Sequence, residues 1–135
     1  MKKKLHYCWF GGKELPRSVK QCIKTWKEQL PDYEIVEWNE SNFDINGSPF
    51  VKQAYENKKW AFVSDYARIY ALYNEGGIYF DTDVKVLKNI DHIVDKDMVL
   101  GYEDSGFFGT AFISVKEKHN KYIKEILDYY NKLDG

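Results

Sequence analysis

Gly76-Gly77-Ile78-Tyr79-Phe80-Asp81-Thr82-Asp83-Val84 is the stretch whose reading decides the fold. The glycine pair ends whatever precedes it, because glycine takes left-handed backbone conformations without steric cost. The apolar run that follows has the length and composition of a strand, expected over 78–84, with two carboxylates toward its carboxyl side. Residues two apart on a strand leave the same face, so Asp81 and Asp83 should stand roughly 7 Å apart, with Phe80, Thr82 and Val84 pointing the other way. Two like charges so placed repel, and burying them unpaired is costly. A hard divalent cation, Mn²⁺ or Mg²⁺, removes the difficulty and keeps open positions for water and substrate phosphates. Two solvated carboxylates at a strand end are the plain alternative, since Asp-x-Asp arises often by chance.

Upstream of the glycines, Phe62, Tyr66, Ile69, Tyr70 and Tyr73 recur at helical spacing and predict an amphipathic helix over 60–74. Within one of its turns stand Ser64, Asp65 and Arg68. Asp65 and Arg68, at i and i+3, share a face. Their neighbours, Ala61-Phe62-Val63 and Ile69-Tyr70-Ala71, are largely apolar, which argues for a partly buried pair rather than a solvated one. Together a carboxylate and a guanidinium supply the acceptors and donors that sugar hydroxyls require.

Further out, Leu5 to Phe10 reads as a buried strand stopped by Gly11-Gly12, and Pro16 opens a helix carrying Val19, Ile23, Trp26 and Leu30. Tyr33 to Trp38 is a second strand, and 39–49 is turn-rich. Residues 50–58 suit a short helix. Strands are expected over 98–102 and 107–115, divided by Glu103-Asp104-Ser105-Gly106, and a last helix over 121–133. Alternating strands and helices imply an α/β sheet that is mostly parallel and flanked by helices. Carboxylates at a strand's carboxyl end then lie where open α/β sheets take their ligands.

The chain has 135 residues, the size of one domain over 1–135. A net charge of -1, from 20 basic and 21 acidic residues, argues against a nucleic-acid partner, for which only Lys2-Lys3-Lys4 forms a cluster. The run after those lysines is too short and polar for a signal peptide or a span, so membrane contact is expected to be peripheral at most. Cys8 and Cys22 lie in apolar patterns and read as buried free thiols of a reducing cytoplasm. His119 sits in a polar stretch and is expected to be exposed.

Three segments in order, Tyr7-Cys8-Trp9-Phe10-Gly11-Gly12, Ser64-Asp65-Tyr66-Ala67-Arg68 and Gly76 to Asp83, resemble the successive motifs of glycosyltransferase family 32. This group has a sugar-binding region with a DXD motif and includes bacterial capsule and surface polysaccharide transferases. The resemblance covers about Leu5 to Leu87 and continues more weakly to Val115. It implies a GT-A fold with a Rossmann-like nucleotide-binding sheet, and metal-dependent, retaining transfer from a nucleotide sugar, UDP-linked by preference, to a glycan or lipid-linked glycan. It also implies a cytoplasmic place, at the inner face of the membrane where the acceptor requires it.

Residue by residue, the resemblance puts Tyr7 and Trp9, with their strand neighbours, at the base, and Ser64, Asp65 and Arg68 at ribose or sugar hydroxyls. Tyr79 falls near the diphosphate. Asp83 ligates the metal directly, and Asp81 ligates it directly or through water while reaching the ribose. Family members run on well past this length into acceptor elements and a late motif with His and Trp, to which nothing after Lys116 corresponds. The expectation is therefore a donor-binding part whose transfer activity alone would be poor. Two other readings stand beside it. One is a nucleotide-sugar-binding module without catalysis. The other is a haloacid-dehalogenase-type phosphatase, whose nucleophile motif Phe80-Asp81-Thr82-Asp83-Val84 also resembles, although that motif usually opens the fold.

Overall fold

Leu5, Tyr7, His6 and Cys8 are all buried, so the first strand is covered on both faces, as a central strand of an α/β sheet must be. The computed structural model describes residues 3–86, 98–101 and 112–133. Among them, in chain order, are β1 (Lys3–Cys8), α1 (Arg17–Gln29), β2 (Tyr33–Trp38), α2 (Pro49–Glu56), α3 (Trp60–Glu75), β3 (Gly77–Phe80), β4 (Met98–Gly101), β5 (Phe112–Val115) and α4 (Lys121–Asn131).

The sheet order is β2-β1-β3-β5-β4. β1 pairs in parallel with β2 and β3, while β5 lies antiparallel between β3 and β4, so four of the five strands run one way. Side chains alternate between two cores, as a two-residue period requires. Leu5, Tyr7, Ile78, Phe80 and Phe112 join Val19, Cys22, Ile23 and Trp26 of α1. Cys8, Tyr79 and Val115 join α2, α3 and Ile123 of α4 on the other face. The chain thus leaves β1 by a helix on one face toward β2, then returns by helices on the other face to β3. The carboxyl ends of β1 and β3 therefore flank the switch point of the sheet, the place where open α/β sheets take their ligands.

The glycine pair is needed where it stands. Gly77 has φ 100°, and a Cβ there would lie 2.3 Å from the Lys4 carbonyl oxygen. Gly76, at φ 68°, passes under the backbone of Glu117 and Lys118. Only a residue without a side chain lets β3 start this close to β1. α4 is capped by Asn120, whose Oδ1 accepts from the amides of Tyr122 and Ile123.

Element boundaries shift in three informative places. β1 begins at Lys3 and ends at Cys8, two residues earlier at each end than the apolar run suggested. Pro16 is the cap preceding α1 rather than its first residue. β3 stops at Phe80, so Asp81 and Asp83 are not on a strand. A turn closed by the Val84 amide on the Asp81 carbonyl, 3.1 Å, follows directly. The cause is distant in sequence: Val84 is buried against α1, and its carbonyl accepts from the Trp26 indole at 2.8 Å. Thr25 Oγ1 then accepts from the Val86 amide. The chain must leave the sheet to reach these partners. Tyr102, the segment 103–106 and the first part of the strand expected over 107–115 lie outside the described residues.

Candidate functional site

Arg68 is the centre of the carboxyl-edge cluster. Its Nη2 lies 3.2 Å from Asp65 Oδ1, one helical turn back, and 3.2 Å from Asp81 Oδ1, just past the end of β3. Its guanidinium carbon sits 4.6 Å from the centroid of the Tyr79 ring. Its Nε approaches the Ser64 carbonyl at 3.4 Å. The side chain is 21% exposed, against 40% for Asp65 and 32% for Asp81, so these charges are partly shielded and interact more strongly than a surface pair.

Arg68 is flanked by two carboxylates because the alternation of β3 turns Tyr79 and the backbone leading to Asp81 toward α3, while Ile78 and Phe80 face α1. Burial opposes the charge on Arg68, yet Tyr79, Asp81 and Asp65 together hold its pKa above the ordinary value. Burial pushes the Asp65 carboxyl up; Arg68 opposes this and Asp81 adds to it. The Tyr79 phenol is fully buried and its pKa raised, chiefly by burial, with Asp81 as a hydrogen-bond partner. Cys8 borders the same group, its thiol pushed up to about 12 by burial although Arg68 pulls the other way. It is therefore a neutral, unreactive thiol at physiological pH.

Of the expected site residues, the structure gathers Ser64, Asp65, Arg68, Tyr79 and Asp81. Asp83 stands two residues on, in the exposed turn, and shares the electrostatic surroundings of Cys22 with Lys85 on the α1 side. Trp9 extends the pairing of β1 through its amide to the Trp38 carbonyl, 2.9 Å. Half-buried against the α1 core, its indole N–H donates to the Lys13 carbonyl, 2.8 Å. Tyr7 is not brought to the cluster. It is buried against Trp26, and its hydroxyl donates to Glu37 Oε1, 2.7 Å.

Sequence reasoning passed over three residues that shape this edge. Glu40 accepts from the Gly11 amide at 2.5 Å and from the Tyr55 hydroxyl at 3.1 Å, pinning the loop after β1. Glu37, besides Tyr7, accepts from Asn39. His6 is fully buried between the Trp38 indole N–H, 3.0 Å from Nδ1, and the Gly76 carbonyl, 2.8 Å from Nε2. Indole only donates and a carbonyl only accepts, so the proton is on Nε2 and the ring is neutral. No pattern in the sequence marks these residues, because each of them takes at least one partner from a distant segment of the chain.

Among the described residues, no group of three or more His, Cys, Asp or Glu side chains converges to hold a metal ion. Asp81 and Asp83 do supply hard oxygen donors on one short turn. That set fits a cation whose shell is completed by phosphate oxygens and water, and not a closed structural site. No helix among the described residues is long and apolar enough to cross a membrane.

The structure thus gives an α/β sheet with two carboxylates and a guanidinium gathered at its switch point. Residues 16–100 match the family described as the glycosyltransferase sugar-binding region containing DXD motif, and the chain belongs to that family. It is similar to the lactosylceramide 4-alpha-galactosyltransferase of Pongo pygmaeus, 33% identical over 51% of this chain and 32% of that protein. It is also similar to the subversion of eukaryotic traffic protein A of Legionella pneumophila, 27% identical over 61% of this chain and 17% of that protein. This chain thus spans a minor part of the length of either relative. The solved PaToxG glycosyltransferase superposes with a TM-score of 0.70 over 95% of this chain and 59% of its own, at 24% identity, a likeness of fold. The fold is α/β of the GT-A type.

Proposed function

We propose that this chain is the donor-binding unit of a metal-dependent hexosyltransferase, taking a nucleotide sugar, UDP-linked by preference, for retaining transfer to a glycan or lipid-linked glycan. The observation that carries the reading is the group Asp65, Arg68 and Asp81 at the switch point of the sheet. Arg68 presents a fork of donors to phosphate or sugar oxygens, and Asp65 presents an acceptor to hydroxyls. Asp81 and Asp83 would hold Mn²⁺ or Mg²⁺, which supplies charge stabilisation for the departing diphosphate. The indole of Trp9 is offered to the base.

Burial keeps the Cys8 thiol neutral, which disfavours it as a covalent nucleophile; direct attack by the acceptor on the donor's front face is the course of transfer in this reading. Kinship with a galactosyltransferase named for lactosylceramide supports a glycan or glycolipid acceptor. A place in bacterial surface polysaccharide assembly, in the cytoplasm or at the inner membrane face, is the setting we favour.

A thermal-shift screen of nucleotide sugars with and without Mn²⁺ tests the reading. A ligand at a hundred times its Kd stabilises by about 2.7 kcal/mol, so the melting temperature should rise only with both components present. Asp65→Asn should weaken the nucleotide sugar more than bare UDP. Failure of every nucleotide sugar to stabilise the protein, or release of phosphate without sugar transfer, would overturn the proposal.

A further inference from the structure

Asp81, which the reading above makes a cation ligand, already has a cation. Arg68 lies 3.2 Å from its carboxylate, is only 21% exposed, and shares the same Nη2 with Asp65, also at 3.2 Å, over the Tyr79 ring. A divalent ion arriving at Asp81 alone must approach a partly shielded guanidinium, and shielding makes like-charge repulsion felt. A diphosphate reverses the balance, because its oxygens accept from the same N–H fork and offset the added positive charge.

We infer that Arg68 is the residue that couples metal binding to diphosphate binding: it disfavours the cation in the empty site and favours it once the nucleotide has arrived. The inference rests on the donor-binding reading, and it adds to it a residue that couples the two ligands. Free metal binds weakly, nucleotide binds weakly without metal, and the two bind strongly together. Because coupling is reciprocal, each ligand must raise the affinity of the other by the same factor.

Two flanking groups set the size of the effect. Asp65 shares the charge of Arg68, so removing its carboxylate leaves the guanidinium to Asp81 alone. Tyr79 supports the guanidinium from below, its ring centroid 4.6 Å from the guanidinium carbon.

The test is calorimetric titration with manganese chloride alone, with UDP alone, and with each in the presence of the other. Arg68→Gln should tighten manganese in the absence of UDP and weaken UDP in the presence of manganese. The coupling factor should fall by roughly fivefold or more, the low end of the usual range between sites. Asp65→Asn should do the opposite to manganese alone, weakening it. Arg68→Lys keeps the charge and should leave manganese alone weak. General damage to the fold would push Arg68→Gln and Asp65→Asn in the same direction, so their opposite signs separate coupling from mere structure.

Weaker or unchanged manganese binding in Arg68→Gln, with an unchanged coupling factor, overturns the inference and leaves the donor site standing. Absence of manganese binding in the unaltered protein, with and without UDP, overturns both.

Discussion

β3 is only four residues long, yet its two ends have opposite characters. At the amino end, every feature resists change: Gly77 presses on the Lys4 carbonyl, the buried His6 bridges Trp38 and Gly76, and Lys4 pairs with Glu75. At the carboxyl end the strand gives out, a turn begins, and three charged side chains share a half-open edge. The difference teaches how a short strand can carry the proposed donor site. The tight contacts are concentrated away from the charged edge, and they set the register that delivers Asp81 to Arg68. Substitutions at the amino end should therefore cost stability, and those at the carboxyl end should cost binding.

Gly77→Ala should have the largest effect. An added Cβ at 2.3 Å from a backbone oxygen, together with a positive φ, forces β1 and β3 apart, at about 3–5 kcal/mol. Urea denaturation would show it. A cost under about 1 kcal/mol would mean that the amino end yields, and the contrast between the ends would collapse.

His6→Ala comes next, leaving the Trp38 N–H and the Gly76 carbonyl without their buried partner, at about 2–4 kcal/mol. His6 also predicts a pH response. Burial lowers its pKa, which the Gly76 carbonyl and Glu75 only partly offset. The unfolded chain then binds the proton more readily, so this contribution is present above the ordinary histidine value near 6.5 and is lost as the pH falls below it. The slope should reach at most about 1.4 kcal/mol per pH unit. Denaturation midpoints between pH 7.5 and 5 should slope less steeply in His6→Gln than in the parent, and parallel profiles would remove His6 from the account.

Asp81→Asn sharpens the contrast. It should cost about 1 kcal/mol of stability, since Arg68 keeps Asp65, yet lose manganese-dependent UDP binding by calorimetry. The smallest effect on the fold belongs to Asp83→Ala in the exposed turn, within about 0.5 kcal/mol by melting, with the same loss of binding. A large loss of stability in Asp83→Ala would show that the turn is part of the scaffold, and the two ends would no longer differ in kind.

The order and type of the elements could be read from the chain alone, because helix and strand periodicities are local and the glycine pair announces a backbone that no other residue can follow. The same holds for the Asp65–Arg68 pair, whose spacing on one helix brings the two charges to 3.2 Å without help from elsewhere. Only the tertiary structure decided where β3 ends. The strand expected from the sequence runs on through Asp81 and Asp83 to Val84, but the indole of Trp26, 58 residues away, captures that valine's carbonyl and draws the chain off the sheet. That turn is what separates Asp81, drawn toward Arg68, from Asp83, exposed beyond it. The reversed direction of β5 and the lodging of His6 between two other elements were equally beyond the sequence. Each depends on which segments meet in space, and such partners leave no periodic trace in either segment by itself.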